Sequence, residues 1–414
     1  MRDVELYRHL LGMEPPWTVT RVELGLKEQR IDVWVGHGEG LRWPCPECGV
    51  ELALYDHSEE REWRHLDSCQ FKTYLHARPP RVQCPGHGVR QVRLPWAEVR
   101  ARFTTLFERL AIDVLKETDG LGATRILRIS WDEAWHLMER AVQRGQLAKE
   151  KRGCARIGVD EKAVAKGHHY LTLVCDLDRA TVEYIAAERK QESLDGYFRS
   201  LCPEQLQGIE AVAMDMWEPY IQSTLARVPN APDKITFDRY HIMSHMGKAV
   251  DDVRKREQRE LSAAGDPTLS GSKYLWLYAQ ENLPEKHRER FAALKALNLK
   301  TGRAWAIKES LRDLWSYTRL GWAKRHWQSW YFWATHSRLQ PVIETARMIK
   351  RHLANVMTYF THRITNAVSE GLNSKIQTIK KMAYGFRNRE HFKTAIYFHC
   401  GGLQLYPATH GIPG

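Results

Sequence analysis

The sequence predicts a multidomain α+β protein, and three observations carry that prediction. A cysteine-rich, β-patterned stretch opens the 414-residue chain, a run of apolar-alternating segments joined by tight turns occupies its middle, and a long tryptophan-rich helical interval follows. At about 150 residues per domain the length allows roughly three domains. Apolar residues make up 43% of the chain, enough for real cores. The formal net charge of +12 favours a polyanionic partner, and with no amphipathic anchor evident that partner is nucleic acid before membrane. Met1 to Trp17 is charged and lacks the apolar core of an export signal. No run of about 18 apolar residues is present, so the expected location is the cytoplasm, where the eight cysteines do not form a disulfide frame.

The N-terminal region, residues 1–100, alternates apolar and polar positions at Trp17–Thr20 and Ile31–Val35, as short strands do. Within it, Cys45-Pro-Glu-Cys48 and Cys84-Pro-Gly-His87 form two matched knuckles. Two residues between ligands lets both side chains point at one cation, and two knuckles complete a tetrahedron. The four ligands predict one structural Zn²⁺. Cys69, Cys154, Cys175, Cys202 and Cys400 lack ligand spacing and are expected in cores.

Residues 101–150 are helical in period, with Leu106, Leu110, Val114 and Ile126 spaced for one face. Gly120-Leu-Gly122 interrupts the pattern, and Ser130 before Trp131-Asp132-Glu133 caps a last helix. Helix, break, short helix and capped helix outline a helix-turn-helix.

Residues 151–240 predict an α/β domain with a mixed sheet. The runs Arg156–Glu161, His169–Asp176 and Ala180–Ala187 suggest a three-strand meander. A helix near Leu194–Leu201, a strand at Ile209–Asp215, a helix at Pro219–Val228 and a strand at Lys234–Asp238 follow. Residues 241–361 predict an all-α insertion, because the helix from Asn366 onward, in 362–414, belongs back on the sheet.

Three acids stand out. Asp160 lies on the face of its strand opposite Ile157 and Val159, and Asp215 ends a strand, where sites form in open α/β sheets. Glu370 points away from the stripe of Val368, Leu372, Ile376 and Ile379, and shares its side with Asn366, Asn373, Ser374 and Gln377. Each acid taken alone is more often a salt bridge, a cap or a solvated carboxylate than a metal ligand. Together they suit hard cations, two Mg²⁺ (or Mn²⁺) about 3.5–4 Å apart, and phosphoryl transfer.

The two knuckles, Trp131-Asp-Glu133, Gly158-Val-Asp-Glu161, Met214-Asp-Met-Trp217, Phe237-Asp-Arg-Tyr-His241, Ser369-Glu-Gly-Leu-Asn373 and Tyr384-Gly-Phe-Arg-Asn388 occur in one order along nearly the whole chain. This series resembles the DDE-type insertion-sequence transposases of the ISL-three group. The resemblance implies a ribonuclease-H-like catalytic domain, an α-helical insertion between the second and third acids, N-terminal DNA-binding modules, and metals carried by Asp160, Asp215 and Glu370. Asp238 ends a neighbouring strand; it and His241 are expected to order the ligands or the substrate.

Arg125, Arg128, Arg140 and Arg144 flank the candidate recognition helix, and Lys375, Lys380, Lys381, Arg387 and Arg389, with Asn373, accompany Glu370. They are candidates for phosphate contacts that fix the register of a DNA end. Trp217 is a candidate base-stacking platform, with core packing as the other reading; the insertion tryptophans are expected in the core. The expected function is binding of terminal inverted repeats, cleavage to free a 3′-hydroxyl and its transfer to double-stranded target DNA by a homodimer or larger assembly. Two other readings stay open: a non-catalytic DNA-binding regulator, and a junction-type nuclease of the same fold.

Overall fold

Alternating apolar and polar residues build the first part of the chain into small sheets. In the computed structural model, which describes residues 3–150, 152–165, 169–364 and 367–408, helix α1 (Asp3–Leu10) leads into eight strands. These are β1 (Trp17–Gly25), β2 (Arg30–His37), β3 (Arg42–Pro44), β4 (Glu51–His57), β5 (Arg61–Ser68), β6 (Phe71–Ala77), β7 (Pro80–Cys84) and β8 (Gly88–Gln91). They pair as two four-stranded sheets, β1-β2-β6-β5 and β3-β4-β7-β8. Trp17, Val33, Trp63, Leu75 and Trp96 fill the core between them.

Three helices follow, and side-chain caps set their starts. Thr104 accepts from the Phe107 amide ahead of α2 (Thr105–Glu117), and Asp119 accepts from the Gly122 amide ahead of α3 (Gly120–Leu127). A full capping box between Ser130 and Glu133 begins α4 (Trp131–Ala148). The stripe expected from periodicity is not the buried one. Phe107, Ala111, Ile112 and Leu115 face inward, while Leu110 and Ile126 are exposed. Ile126 lies beyond the cap at Asp119, which restarts the helical phase, while within α2 itself the inward face is that of Phe107, Ala111, Ile112 and Leu115. Cys69 and Cys202, expected in the core, are also exposed. Cys69 sits at φ 55° in the tight turn joining β5 to β6, and Cys202 stands at the N-cap of a short helix.

The second unit, Lys151–Ile379, holds one five-stranded sheet. Strands β9 (Arg156–Ala165), β10 (His169–Asp176) and β11 (Thr181–Ala187) form an antiparallel meander. Helices α5 (Gln191–Arg199) and α6 (Pro203–Gln207) lead to β12 (Ala211–Met214), then α7 (Glu218–Arg227) and α8 (Ala231–Lys234) lead to β13 (Ile235–Phe237). Strand β12 runs parallel to both β9 and β13, giving the order β11-β10-β9-β12-β13.

From β13 the chain passes directly into the 25-residue helix α9 (Arg239–Ala263). The helical interval continues as α10 (Lys273–Leu277), α11 (Glu285–Ala296), α12 (Lys300–Arg312), α13 (Leu320–Thr335), α14 (Gln340–Arg351), α15 (Leu353–Met357) and α16 (Tyr359–His362). Trp276, Trp305, Trp315, Trp327 and Trp330 are buried in it, whereas Trp322 and Trp333 are exposed. Its core is continuous with the sheet's: one apolar cluster runs from Ile157 and Val159 through Ile242 and Met246 to Trp276 and Trp330. The buried Lys308 Nζ donates to the carbonyls of Trp276, Leu277 and Tyr278 at 2.9–3.2 Å, which closes the α10 end on α12. Helix α17 (Ala367–Met382) carries Glu370; Asn366, expected at its start, lies outside the described residues.

Residues 380–414 group with Met1–Glu150 in the first unit, so the expected C-terminal domain is divided within α17. There α18 (Arg389–Cys400) packs on α4, with the Trp135 and His391 rings stacked at 4.3 Å. Arg140 and Arg144 of α4 also serve this unit from inside. Arg144 pairs with Glu98 at 2.7 Å and with buried Glu108 at 2.6 Å, and Arg140 reaches Glu98 at 2.9 Å. Removing one partner of such a network strands the other charges. Glu108→Ala is expected to lower the stability of this unit by about 3 kcal/mol, read as a drop in the midpoint of denaturant unfolding. An unchanged midpoint would show that the arginines are not needed internally.

Candidate active site and metal centre

Sheet register brings the acids together. Ala213 of β12 lies opposite Gly158 of β9, and Met214 lies opposite Phe237 of β13. Two residues past Gly158 and Ala213, Asp160 and Asp215 come level, and one past Phe237, Asp238 joins them. Three neighbouring strands thus deliver a carboxylate at the same height.

Each carboxylate is then held locally. Asp160 Oδ1 accepts from the Glu161 amide at 2.7 Å, and Oδ2 accepts from Asn373 Nδ2 at 2.6 Å. Burial pushes the Asp160 carboxyl above its usual range, with those two hydrogen bonds pulling the other way. Asp215 Oδ1 accepts from the Met216 amide at 2.6 Å. Asp238 caps α9, accepting from the Tyr240 amide at 2.9 Å. One turn into that helix, His241 places Nδ1 3.4 Å from Asp215 and Nε2 3.9 Å from Asp238.

The contact between Asn373 and Asp160 locates Glu370 as well. Lys162 Nζ donates to the Asn373 carbonyl at 3.0 Å, so α17 is tied to β9 at two points. Glu370 precedes Asn373 by three residues and therefore shares its side of the helix. It lines, with Asp238, Arg239 and Tyr240, a cleft of about 1360 Å³. The carboxylates of Asp160, Asp215 and Glu370 do not converge within 4.8 Å as the zinc ligands below do. Acids that serve two cations a few ångströms apart have no need to converge on one point. Asn373 Oδ1, on the amide that holds Asp160, is buried without a donor among the described residues. An unpaired acceptor beside hard carboxylates fits a hydrated divalent cation. Asn373 is expected at DNA, and no spacing in the sequence signals that it reaches Asp160.

The sulfur and nitrogen ligands are fully converged. The ligand atoms of Cys45, Cys48, Cys84 and His87 all lie within 4.8 Å of one another, with Cys48 Sγ 3.7 Å from Cys84 Sγ. His87 Nδ1, 3.4 Å from Cys84 Sγ, brings that thiol down to about 6. Thiolate is the form that binds metal, so the donor set fits one structural Zn²⁺. Asp32, Glu62 and His76 make a second close group. There Arg30 donates to Asp32 at 2.7 Å and to Glu62, so these carboxylates already have a cation.

A transposase family profile matches residues 157–396, more than half of the chain. The chain belongs to the ISL3 group of transposases. A second profile, the zinc finger of the IS204/IS1001/IS1096/IS1165 transposases, matches residues 41–87 of this ISL3-group transposase and ends on its fourth ligand. The transposase for insertion sequence element IS1001 from Bordetella parapertussis is 26% identical over 383 residues, covering 87% of this chain and 94% of the relative. The transposase for IS1557 from Mycobacterium tuberculosis is 27% identical, covering 100% of this chain and 99% of the relative. The longer profile match takes in Asp160, Asp215, Asp238, His241 and Glu370.

Several expected DNA contacts of this transposase are engaged within the fold. Arg128 donates to the Gln70 carbonyl at 2.8 Å and pairs with Asp67, and Arg140 and Arg144 hold Glu98 and Glu108. Trp217 donates from Nε1 to the Arg189 carbonyl at 3.1 Å, and the Arg189 guanidinium lies 4.3 Å from its ring centroid. Arg189, itself paired with Glu161 at 2.7 Å, takes the place expected for a base. Arg125, Lys375, Lys381, Arg387 and Arg389 are exposed and Lys380 is half-buried. No helix of the described residues is long and apolar enough to cross a membrane.

Wild-type protein is expected to copurify with one zinc per chain, measured by elemental analysis. Cys84→Ser should lose most of it and melt at lower temperature, since structural zinc contributes directly to folding. Full zinc content in that variant would contradict the ligand assignment.

Proposed function

We propose that this transposase binds the terminal inverted repeats of an insertion sequence and cleaves and joins DNA strands at Asp160, Asp215 and Glu370. The observation that carries the reading is the pair of hydrogen bonds between β9 and Asn373, which ties the helix of Glu370 to the strand of Asp160, level with Asp215. The order β11-β10-β9-β12-β13, three antiparallel strands followed by two parallel ones, supports a ribonuclease-H-like catalytic domain. The helical interval between Asp238 and Glu370 supports an all-α insertion.

Two Mg²⁺ (or Mn²⁺) ions at these carboxylates would activate water or a 3′-hydroxyl and stabilise the leaving oxygen. The chain's own groups supply the placement. Asn373 fixes the rotamer of Asp160, and His241, standing between Asp215 and Asp238, limits how far either carboxylate swings. Helices α2, α3 and α4 act as a helix-turn-helix beside the zinc ribbon, and the two modules read the repeat. Arg125, Lys375, Lys380, Lys381, Arg387 and Arg389 neutralise phosphates of the end and fix its register. Joining two ends to one target calls for a homodimer or larger assembly.

The test is strand transfer of a labelled element end into plasmid DNA with Mg²⁺. Wild type is expected to join, and Glu370→Gln to give no product. Asp238→Asn and His241→Ala should lower the rate by about 10–100-fold, the usual effect of groups that orient metal ligands. Cleavage without joining would identify a junction-type nuclease. Tight end binding without cleavage by wild type would identify a regulator.

A further inference from the structure

Helix α13 presents an outward side that is aromatic and basic together. Its sequence, LGWAKRHWQSWYFWAT, contains no acidic residue. Trp327 and Trp330 turn inward, while Phe332 is 65% exposed. Beside Phe332 runs a groove of about 680 Å³ between α13, α14 and α15, and no carboxylate among the described residues lines it. Lys324 and Lys350 stand on its walls, and neither forms an ion pair among the described residues. Lys350 Nζ lies 4.7 Å from the Tyr331 ring centroid, and the rings of Phe332 and His336 stack at 4.0 Å. The floor is anchored to the catalytic sheet. Thr358 donates from Oγ1 to the Ile235 carbonyl at 2.6 Å on β13, the strand that leads to Asp238.

We propose that this groove binds a single-stranded segment of DNA, with a base stacked on Phe332 and the flanking phosphates at Lys324 and Lys350. The proposal rests on the transposase reading and adds the strand state of the DNA that the insertion holds. Charge selects the occupant. Two lysines without an ion pair among the described residues, and no acid among the described residues that line the groove, suit a phosphate chain, whereas the same face of a second copy would bring like charges together. The exposed ring selects the strand state, because a base stacks on a side chain only when it has left its duplex neighbours. The groove's volume accommodates one or two nucleotides, not a double helix.

The test uses full-length protein and a fluorescently labelled oligothymidine of about 15 nucleotides, long enough to span one single-strand site, followed by fluorescence polarisation without added divalent metal. Element-end duplex is titrated in parallel. Phe332→Ala is expected to weaken oligothymidine binding about tenfold, the scale of one lost base stack, and to leave duplex binding unchanged. Phe332→Trp should restore it. Lys324→Gln with Lys350→Gln should weaken it and flatten its salt dependence. Unchanged oligothymidine binding in the Phe332 and lysine variants would overturn the proposal. So would equal loss of both ligands without rescue by Phe332→Trp, which marks a folding defect. A shift in sedimentation mass with oligothymidine binding intact would make the groove a self-association surface, again overturning it. Because these readouts need no catalysis, loss of the groove's role leaves the strand-transfer result untouched. Failure of wild type to bind the end duplex would instead remove the reading on which the groove depends.

Discussion

A carboxylate set into a sheet persists only where something holds it, and Asn373 holds Asp160. The cost of taking that group out of water is visible in the upward push that burial gives its carboxyl. Its two hydrogen bonds, from the Glu161 amide and from the Asn373 amide group, offset part of that cost. The second bond crosses more than two hundred residues of sequence, and with Lys162 it ties α17 to β9. The position of Glu370 follows from this tie, because a residue one turn earlier on the same helix has little freedom left.

A similar double use governs the neighbouring strand. Asp238 is both the last residue before α9 and its N-cap. The acid that comes level with Asp215 therefore also starts the helix that opens the helical interval, and His241 on its first turn lies within reach of both carboxylates. Since that interval shares one apolar core with the sheet, its helices are not a loosely tethered appendage. Thr358, bonded to β13, makes the same connection from the other end of the interval.

Much of this is legible in the sequence where local chemistry decides the outcome. The zinc ligands converge as their knuckle spacing predicts, because two residues between ligands leave little geometric choice. The three-strand meander lies where apolar alternation places it, and Asp215 and Asp238 directly follow the two short strands expected before them, which are buried throughout. What escapes is long-range pairing. Nothing in the period of α4 says that Arg140 and Arg144 serve Glu98 and Glu108 instead of solvent, since a charge on a helix looks the same before its partner arrives. Trp217 shows the same limit, as Arg189, which covers it, is remote in sequence. Ile126 leaves the stripe of α2 for a local reason: a single helical phase does not carry across the cap at Asp119.

The central claim is that Asp160, Asp215 and Glu370 jointly hold divalent cations, and the most direct measurement is anomalous scattering. Crystals of the protein with its end DNA and Mn²⁺ are predicted to show manganese peaks within about 2.3 Å of oxygens from Asp160, Asp215 and Glu370, a hard-cation bonding distance. Manganese held by Asp215 and Asp238 with Glu370 turned away, or no manganese at the strand ends, would contradict the account.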